Sequence, residues 1–283
     1  MDTVKKIDVL RSRLKEASRN GKSVGLVPTM GFLHEGHLSL IKRAREENDL
    51  LVVSLFVNPT QFGPGEDLES YPRDLEKDAD SCSAEGADIL FAPDAGEMYF
   101  EDYGTYVEVS GGLTKGLCGK SRPTHFRGVT SVVSKLFNIV EPDRAYFGQK
   151  DAQQVAVIKR MVRDLNFDVE IVVCPIVREA DGLAKSSRNI YLSEVERKAA
   201  LVLNRSLKAA SERISSGERN GDEIKAMVEN MIKQEPLSAI DYVEVVDAEN
   251  MKPLEILKGS VLLALAVRFG KARLIDNIRL EVE

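Results

Sequence analysis

The stretch VGLVPTMGFLHEGHLSLI, residues 24–41, joins a short apolar run, a loop and the start of an amphipathic pattern. The run VGLV is typical of a buried strand, and Leu38, Ile41 and Ala44 recur at helical spacing beyond the loop. The stretch therefore predicts a strand, a loop and a helix, with two histidines where the loop enters the helix.

The same alternation of strand and helix continues through the first two-thirds of the chain. Further strands are predicted at residues 50–57, 88–92, 144–148 and 169–173, and helical patterns at 4–20, 73–86, 126–140 and 151–165. This order predicts an α/β fold, in which right-handed crossovers place helices on both faces of a parallel sheet. Active sites in such folds lie at the carboxyl ends of the strands.

The pattern changes after Arg188. SEVE at 193–196 is a capping box that opens a long helix to about Ser215. A second helix at 221–233 and strands at 241–247, 260–269 and 273–282 follow. We therefore predict two domains, residues 1–185 and a smaller α+β domain of residues 186–283.

Composition narrows the functional classes. The net charge is −6 and the basic residues are dispersed, which disfavours a general nucleic-acid or membrane-surface role. Neither a signal peptide nor a membrane-spanning run is visible, so we expect a cytoplasmic protein. Cys82, Cys118 and Cys174 are odd in number and far apart, which indicates reduced packing residues rather than disulfides or a zinc site.

His34 and His37 are predicted where a strand delivers the chain into a helix. Backbone N–H groups and the helix dipole favour phosphate oxygens there, and imidazoles three residues apart share one helix face. Gly36 would let a ligand approach the backbone. A surface or packing pair of histidines would also explain this spacing, and metal binding is disfavoured because no third ligand has matching spacing.

Three more polar segments stand out: two follow predicted strands, and the third lies at the domain junction. In FGQKDAQQ, at 147–154, Lys150 can meet phosphate, and Asp151 can cap a helix or hold a hydroxyl. Gln61 can recognise a hydroxy acid without repelling its carboxylate. The junction segment 185–188, KSSR, suits a clamp on polyphosphate. A capped helix would also explain FGQKDAQQ, and a solvated linker would also explain KSSR.

Three further features are ambiguous or misleading. GLTKGLCGKS at 112–121 ends like a P-loop but lacks its spacing, so we interpret it as a flexible loop. His125 precedes a helical pattern, where it is either a helix-end residue or a ligand contact. Asp78 follows YPRD and is expected to be a surface carboxylate, with a water-mediated Mg²⁺ contact as the alternative.

Taken together, these segments resemble the pantothenate synthetase family, the AMP-forming pantoate:β-alanine ligases. The resemblance rests on PTMGFLHEGH, similar to the HIGH motif of class I aminoacyl-tRNA synthetases and nucleotidylyltransferases, and on FVNPTQF, YPRD, RPTHFRGV, FGQKDAQQ, VREADGLAKSSRN and ARLIDNI. It covers nearly the whole chain, and the ordered set is far more specific than HxGH alone.

The resemblance implies a Rossmann-like ATP domain, a homodimer and Mg²⁺-dependent condensation of pantoate with β-alanine through a pantoyl adenylate. It also assigns residues. The catalytic residues would be His34, His37 (as proton donor) and Lys150. The ATP-binding residues would be Met30, Gly31, Phe32, Leu33, His34, Glu35, Gly36, His37, Gly148, Gln149, Lys150, Asp151, Val177, Lys185, Ser186, Ser187 and Arg188. Gln61 would bind pantoate and β-alanine, and Gln154 would bind pantoate.

Two positions depart from the family pattern. Many members have Glu where Gln149 stands and Met where Lys185 stands. Relative to them, this chain lacks one negative charge near phosphate and carries one additional positive charge. Two other functions are weighed against the ligase: a nucleotidylyltransferase acting on a phosphate ester, and a non-catalytic ATP-binding module. A nucleotidylyltransferase would need additional cationic side chains to bind the phosphate of its second substrate, whereas Gln61 and Gln154 are neutral.

Overall fold

The computed structural model describes all 283 residues, which fold as two compact units. Unit 1 comprises Met1–Val109, Arg122–Gln149 and Val157–Pro175, and unit 2 comprises Ser110–Ser121, Lys150–Ala156 and Ile176–Glu283. None of the helices combines the length and the apolar character that a membrane span needs.

Regular elements occupy most of the chain. The strands are β1 (Asp2–Val4), β2 (Val24–Thr29), β3 (Leu50–Leu55), β4 (Ile89–Phe91), β5 (Arg144–Gly148), β6 (Glu170–Cys174), β7 (Ser238–Asp247), β8 (Gly259–Phe269) and β9 (Ala272–Val282). The helices are α1 (Ile7–Arg19), α2 (Glu35–Glu47), α3 (Leu75–Ala84), α4 (Ala95–Met98), α5 (Cys118–Ser121), α6 (His125–Val140), α7 (Ala152–Leu165), α8 (Glu194–Ala200), α9 (Val202–Ser215) and α10 (Gly221–Lys233).

Unit 1 is built on a six-stranded parallel sheet in the order β1-β4-β3-β2-β5-β6. The chain runs from β2 outward through β3 and β4, then returns to pair β5 with the other side of β2. The strand order therefore reverses between β2 and β5, and ligands of open α/β sheets bind outside the carboxyl ends of the strands at such a point.

Helices cover both faces of this sheet. Successive side chains of a strand point to opposite faces, and the apolar residues on both faces are buried. Val27 on β2 packs with Ile41 of α2 and Cys82 of α3 in one core. Leu26, its neighbour on β2, is also fully buried and points to the opposite face. The predicted α/β class with helices on both faces is confirmed.

The C-terminal part of unit 2 has the predicted α+β composition. The antiparallel sheet β7-β8-β9 packs its apolar residues with those of α9 and α10 in a separate core. The capping box of Ser193 and Glu196 is present, as predicted.

Two details of the sequence prediction were wrong. The helix predicted from Val4 begins at Ile7, and Val4 belongs instead to the strand Asp2–Val4, which was missed because a three-residue parallel pairing leaves no periodic signal. The helix expected from Ser193 to Ser215 is two helices. They break at Leu201, whose N–H bonds the Lys198 carbonyl three residues back rather than four.

Candidate active site

The loop after β2 has an unusual backbone conformation. Gly31 and Phe32 lie consecutively in the left-handed region, with φ of 85° and 52°. A Cβ at Gly31 would stand 2.9 Å from the Asp78 carboxylate and 3.0 Å from Leu55, so both backbone angle and space favour glycine. This conformation turns the backbone N–H groups of the loop toward α3.

Asp78 on α3 accepts hydrogen bonds from these backbone N–H groups. Its carboxylate accepts hydrogen bonds of 2.7 Å from both Phe32 N–H and Leu33 N–H, and the residue is only 2% exposed. The expectation of a surface carboxylate is therefore wrong: helical spacing from the cap at Asp74 turns Asp78 inward, under the loop. Burial raises the pKa of Asp78, although the two N–H donors pull it down.

His34 and His37 form a reciprocal helix cap. His34 is the N-cap of α2, and its Nδ1 accepts from Gly36 N–H at 3.1 Å. The Nδ1 of His37 accepts from His34 N–H at 3.3 Å, and the two ring centroids are 4.1 Å apart. The three-residue spacing thus places two imidazoles in the roles that Ser and Glu play in an ordinary capping box.

The cap also fixes which ring nitrogen carries the proton. A neutral imidazole whose Nδ1 accepts a hydrogen bond must hold its proton on Nε2. His34 and His37 therefore each have an Nε2–H donor at the N-terminus of α2, where the helix dipole attracts anions. The arrangement suits a phosphate ester or polyphosphate.

Gln61 lies at the end of a 3₁₀ turn, Pro59–Gln61, that follows β3. Its Nε2 donates to the Met30 Sδ at 2.9 Å, and its Oε1 accepts from Asn58 Nδ2 at 3.2 Å. Asn58 is in turn held by Tyr99, whose hydroxyl donates to Asn58 Oδ1 at 2.8 Å. The structure thus brings the predicted residues Met30 and Gln61 together and fixes the orientation of the Gln61 amide.

The strand β5 ends at Gly148, beside β2, and runs into a 3₁₀ turn of Gln149–Asp151. In unit 2, the Nζ of Lys150 lies 3.7 Å from the Asp151 carboxylate. The Lys150 carbonyl accepts a 3.0 Å hydrogen bond from Asn277 Nδ2 on β9. The backbone at Lys150 is therefore held in place by the C-terminal sheet.

The segment 177–188 is anchored to the same sheet. Lys185 N–H donates to the Val177 carbonyl at 2.9 Å, so the segment doubles back as a hairpin. Arg178 within it makes a bidentate pair of 2.7 and 2.9 Å with Asp276 on β9, which is 2% exposed. The hairpin is thus fixed at its base by a charge-assisted contact, which is among the strongest available.

The residues that follow begin another short turn. Ser186 caps the 3₁₀ turn Ser187–Tyr191 by accepting from Arg188 N–H at 3.3 Å. Asn189 donates to Glu179 and to the Ala184 carbonyl, at 3.0 and 3.1 Å. The segment KSSR is thus held by hydrogen bonds to its neighbours in the chain, and its role as a clamp on polyphosphate stays a prediction.

The two neighbouring glutamines of α7 have different environments. Gln153 is buried and holds the loop before α5, donating to the Leu113 and Gly116 carbonyls and accepting from Cys118 N–H. Gln154 is half-buried in the same unit. Gln153 is accordingly a structural residue, and the binding role of Gln154 stays a prediction.

The acidic and histidine residues do not form a dedicated metal site. No group of three or more His, Cys, Asp or Glu side chains could hold a metal ion. Both Asp78 oxygens already accept backbone N–H groups.

Sequence reasoning missed several residues that position the site. Asn58 bonds the predicted residue Gln61, and Asn277 bonds the carbonyl of Lys150. Asp276 pairs with Arg178, next to the predicted residue Val177. Asp78, expected at the surface, bonds Leu33. Asn58 lies in NPTQF, and Asp276 and Asn277 lie in RLIDNI, so motifs already noticed contained three of them. Their partners are distant in the chain or depend on side-chain rotamers, and only the fold reveals them.

Comparison with known proteins gives one consistent result. A family model described as pantoate-beta-alanine ligase matches residues 2–279. A curated pantothenate synthetase from Acetivibrio thermocellus is 57% identical over 282 residues, covering 100% of both chains, and one from Clostridium acetobutylicum is 58% identical over 277 residues, covering 98% of each.

Solved structures agree. The pantothenate synthetase of Thermus thermophilus has a TM-score of 0.94 and 49% identity, covering 98% of this chain and 99% of the other. A pantoate-beta-alanine ligase from Francisella tularensis, complexed with beta-gamma ATP and beta-alanine, has a TM-score of 0.79 and 34% identity, covering 98% and 97%.

Proposed function

The chain belongs to the pantoate–β-alanine ligase family, and from this premise we propose that it condenses pantoate with β-alanine, using ATP, through a pantoyl adenylate. The family membership favours a ligase over a nucleotidylyltransferase or a non-catalytic module. The observation that carries the proposal is the reciprocal cap of His34 and His37, which fixes two Nε2–H donors where β2 meets α2.

In the first half-reaction, a pantoate carboxylate oxygen attacks the α-phosphorus of ATP and pyrophosphate leaves. Negative charge grows on the phosphate oxygens, and in this proposal the Nε2–H groups of His34 and His37 donate to them. Lys150, held through its carbonyl by Asn277, supplies a cation for the same charge. In the second half-reaction, the β-alanine amine attacks the acyl carbon of the adenylate and AMP leaves.

The remaining assigned residues bind and orient. We propose that Met30 to His37, Gly148 to Asp151, Val177 and Lys185 to Arg188 contact ATP. Gln61 binds pantoate and β-alanine, and Gln154 binds pantoate. Mg²⁺ would enter with ATP and neutralise phosphate charge. The proposal includes a homodimer and a cytoplasmic location, as the family resemblance implies, and domains of 1–185 and 186–283.

The positions that depart from the family pattern fit this reaction class. Gln149 is neutral next to Lys150, and Lys185 lies at the end of the hairpin that Arg178 anchors. The net charge offered to a triphosphate therefore gains one cation and loses one anion relative to many members, which favours tighter nucleotide binding.

The decisive experiment is isotope exchange. The protein is given ATP, Mg²⁺ and labelled pyrophosphate, with pantoate present or absent and β-alanine omitted. Pantoate-dependent appearance of label in ATP supports the adenylate. A protein that forms pantothenate but shows no exchange would overturn the two-step route, and one that transfers AMP to phosphorylated acceptors instead of pantoate would overturn the substrate assignment.

A further inference from the structure

The backbone carbonyl of Gln61 accepts hydrogen bonds from two side chains of the RPTHFRGV segment, Arg122 and His125. Arg122 Nη2 donates to this oxygen at 3.3 Å, and His125 Nδ1 lies 2.9 Å from it. The side-chain amide of the same residue is held by Asn58 and Met30. Both the main chain and the side chain of Gln61 are thus restrained, and the residue is 8% exposed.

Arg122 is itself oriented by Glu66. The guanidinium donates from Nε at 2.7 Å and from Nη2 at 2.6 Å to the two carboxylate oxygens, in a bidentate pair that is mostly buried. The planar fork of an arginine leaves its other N–H groups pointing in fixed directions once two are engaged. Glu66 therefore aims Arg122 at the Gln61 carbonyl.

His125 completes the arrangement through its tautomer. Arg122 Nη1 lies 3.2 Å from His125 Nε2, and a guanidinium can only donate. The Nε2 atom must then accept, which assigns the ring proton to Nδ1, the nitrogen that faces the Gln61 carbonyl. Glu66, Arg122 and His125 form a directed chain of hydrogen bonds that ends on Gln61.

Helix α6, which carries His125, packs closely against the 3₁₀ turn Pro59–Gln61. A Cβ at Gly128 would stand 2.3 Å from the Thr60 carbonyl oxygen and 2.6 Å from the Gln61 Cα. The Gly128 carbonyl also accepts from Asn58 Nδ2 at 3.1 Å. The backbone of the turn therefore has no freedom to move toward α6.

We propose that Arg122 and His125, aimed by Glu66, are positioning residues that set the location of the Gln61 amide for pantoate and β-alanine without touching either substrate. The inference rests on the proposed function, since it takes Gln61 as the substrate-binding amide. Arg122 and His125 bond Gln61 directly, whereas they reach Met30, a residue assigned to ATP, only through the Gln61 amide. Loss of these hydrogen bonds should therefore weaken the binding of pantoate and β-alanine more than the binding of ATP.

The test compares Arg122→Lys with Arg127→Lys. Lysine keeps the charge opposite Glu66 but loses the fork that reaches Gln61 and His125. Arg127 is an exposed arginine on α6 that stacks on Tyr106, at 4.8 Å from the ring centroid, and it makes the matched control. We expect Arg122→Lys to raise the KM for pantoate and β-alanine by roughly 10- to 100-fold, because an ångström of misplacement has effects of that order. The KM for ATP and the parameters of Arg127→Lys should stay within about twofold of wild type.

A double-mutant cycle with Gln61→Ala separates positioning from a general structural role. If Arg122 acts through Gln61, its substitution adds little once the amide is gone, so the effects on pantoate affinity by calorimetry are strongly non-additive. Additive effects, or equal losses for all three substrates, would overturn the proposal. Glu66→Gln provides a second variant, expected to shift the same two KM values in the same direction.

Failure of this inference is distinguishable from failure of the proposed function. Wild type and Arg127→Lys must both form pantothenate for the function to hold. If they do and Arg122→Lys matches them in every KM, the positioning role alone is wrong. If wild type forms no pantothenate, the ligase assignment itself is overturned.

Discussion

Asp78 on α3 accepts a 2.7 Å hydrogen bond from the backbone N–H of Leu33, 45 positions earlier in the chain. A second bond of the same length comes from Phe32 N–H. One buried carboxylate thus holds two consecutive N–H groups of the loop that leads into His34. The loop proposed to bind ATP owes its conformation to a side chain from another helix.

Asp78→Ala should loosen this loop. Two buried N–H donors would lose their partner, at a cost to the free energy of unfolding of about 1–3 kcal/mol for each unsatisfied group. We also expect a higher KM for ATP, because the loop leads directly into α2. Denaturant unfolding and steady-state kinetics measure the two effects. Asp80→Ala, at an exposed position on α3, is the control, and equal behaviour of the two variants would contradict the assigned role.

His34→Asn should separate the capping role from the phosphate-donor role. Asparagine is a good N-cap, so the stability of α2 is kept, but the Nε2–H donor is lost. We expect pantoate-dependent exchange to fall by about 10²-fold, as when an oxyanion donor is removed. His34→Ala should lose the same activity and about 1 kcal/mol of stability as well. Near-normal exchange in His34→Asn would show that the imidazole serves only the helix.

The fold was largely predictable because its elements carry strong local patterns. The apolar run LLVVSLFV, residues 50–57, led to the strand β3, and the capping box at Ser193 located the start of α8 but not its end at Ala200. The strand Asp2–Val4 was missed because its pairing with Ile89–Phe91 is the only reason it is a strand. Local periodicity cannot report a contact made with so distant a part of the chain.

The site was predictable to a different degree. The loop entering α2 was located correctly from the strand that precedes it. The spacing of His34 and His37 indicated only a shared helix face. In the structure each ring accepts a backbone N–H of the first turn, an arrangement that depends on rotamers rather than on spacing alone. Asp78 was misjudged because its burial depends on packing under a loop with two left-handed residues.

The three cysteines should differ sharply in reactivity. Burial raises the pKa of Cys82 to about 12, with the charge of Asp78 adding to it, and burial also raises the pKa of Cys174. Cys118 is half-buried, with the Arg273 guanidinium 3.6 Å from its sulfur. At about pH 8, iodoacetamide should label Cys118, the one cysteine that is not buried, and leave the other two unmodified, because burial keeps their thiols protonated and shielded from the reagent. Peptide mass spectrometry with a denatured control measures this, and rapid native labelling of Cys82 would contradict it.

The pair of Glu66 and Arg122 should contribute to acid sensitivity. Burial alone would raise the pKa of Glu66, but the hydrogen bonds and charge of Arg122 outweigh it and leave the pKa below its ordinary 4.5. A lowered folded-state pKa gives stability that is present above the ordinary value and is lost as pH falls through the lowered one. Between about pH 6 and pH 3, wild type should therefore lose more unfolding free energy than Glu66→Gln. Glu69→Gln, at an exposed position, should follow wild type, and identical slopes for wild type and Glu66→Gln would count against the pair.

Gly128→Ala tests whether the contact between α6 and the 3₁₀ turn sets the position of Gln61. The added methyl would stand 2.3 Å from the Thr60 carbonyl, and backbone cannot swing aside as a flexible side chain can. We expect a loss of about 1–3 kcal/mol in unfolding free energy, the usual cost of overpacking. Because the turn must move away from α6, the KM for pantoate should also rise, while the KM for ATP changes less. Gly96→Ala is the control, since its Cβ would meet nothing within 4 Å. Wild-type stability and kinetics in Gly128→Ala would mean that the turn can shift without moving the Gln61 amide, which would also weaken the positioning role of Arg122 and His125.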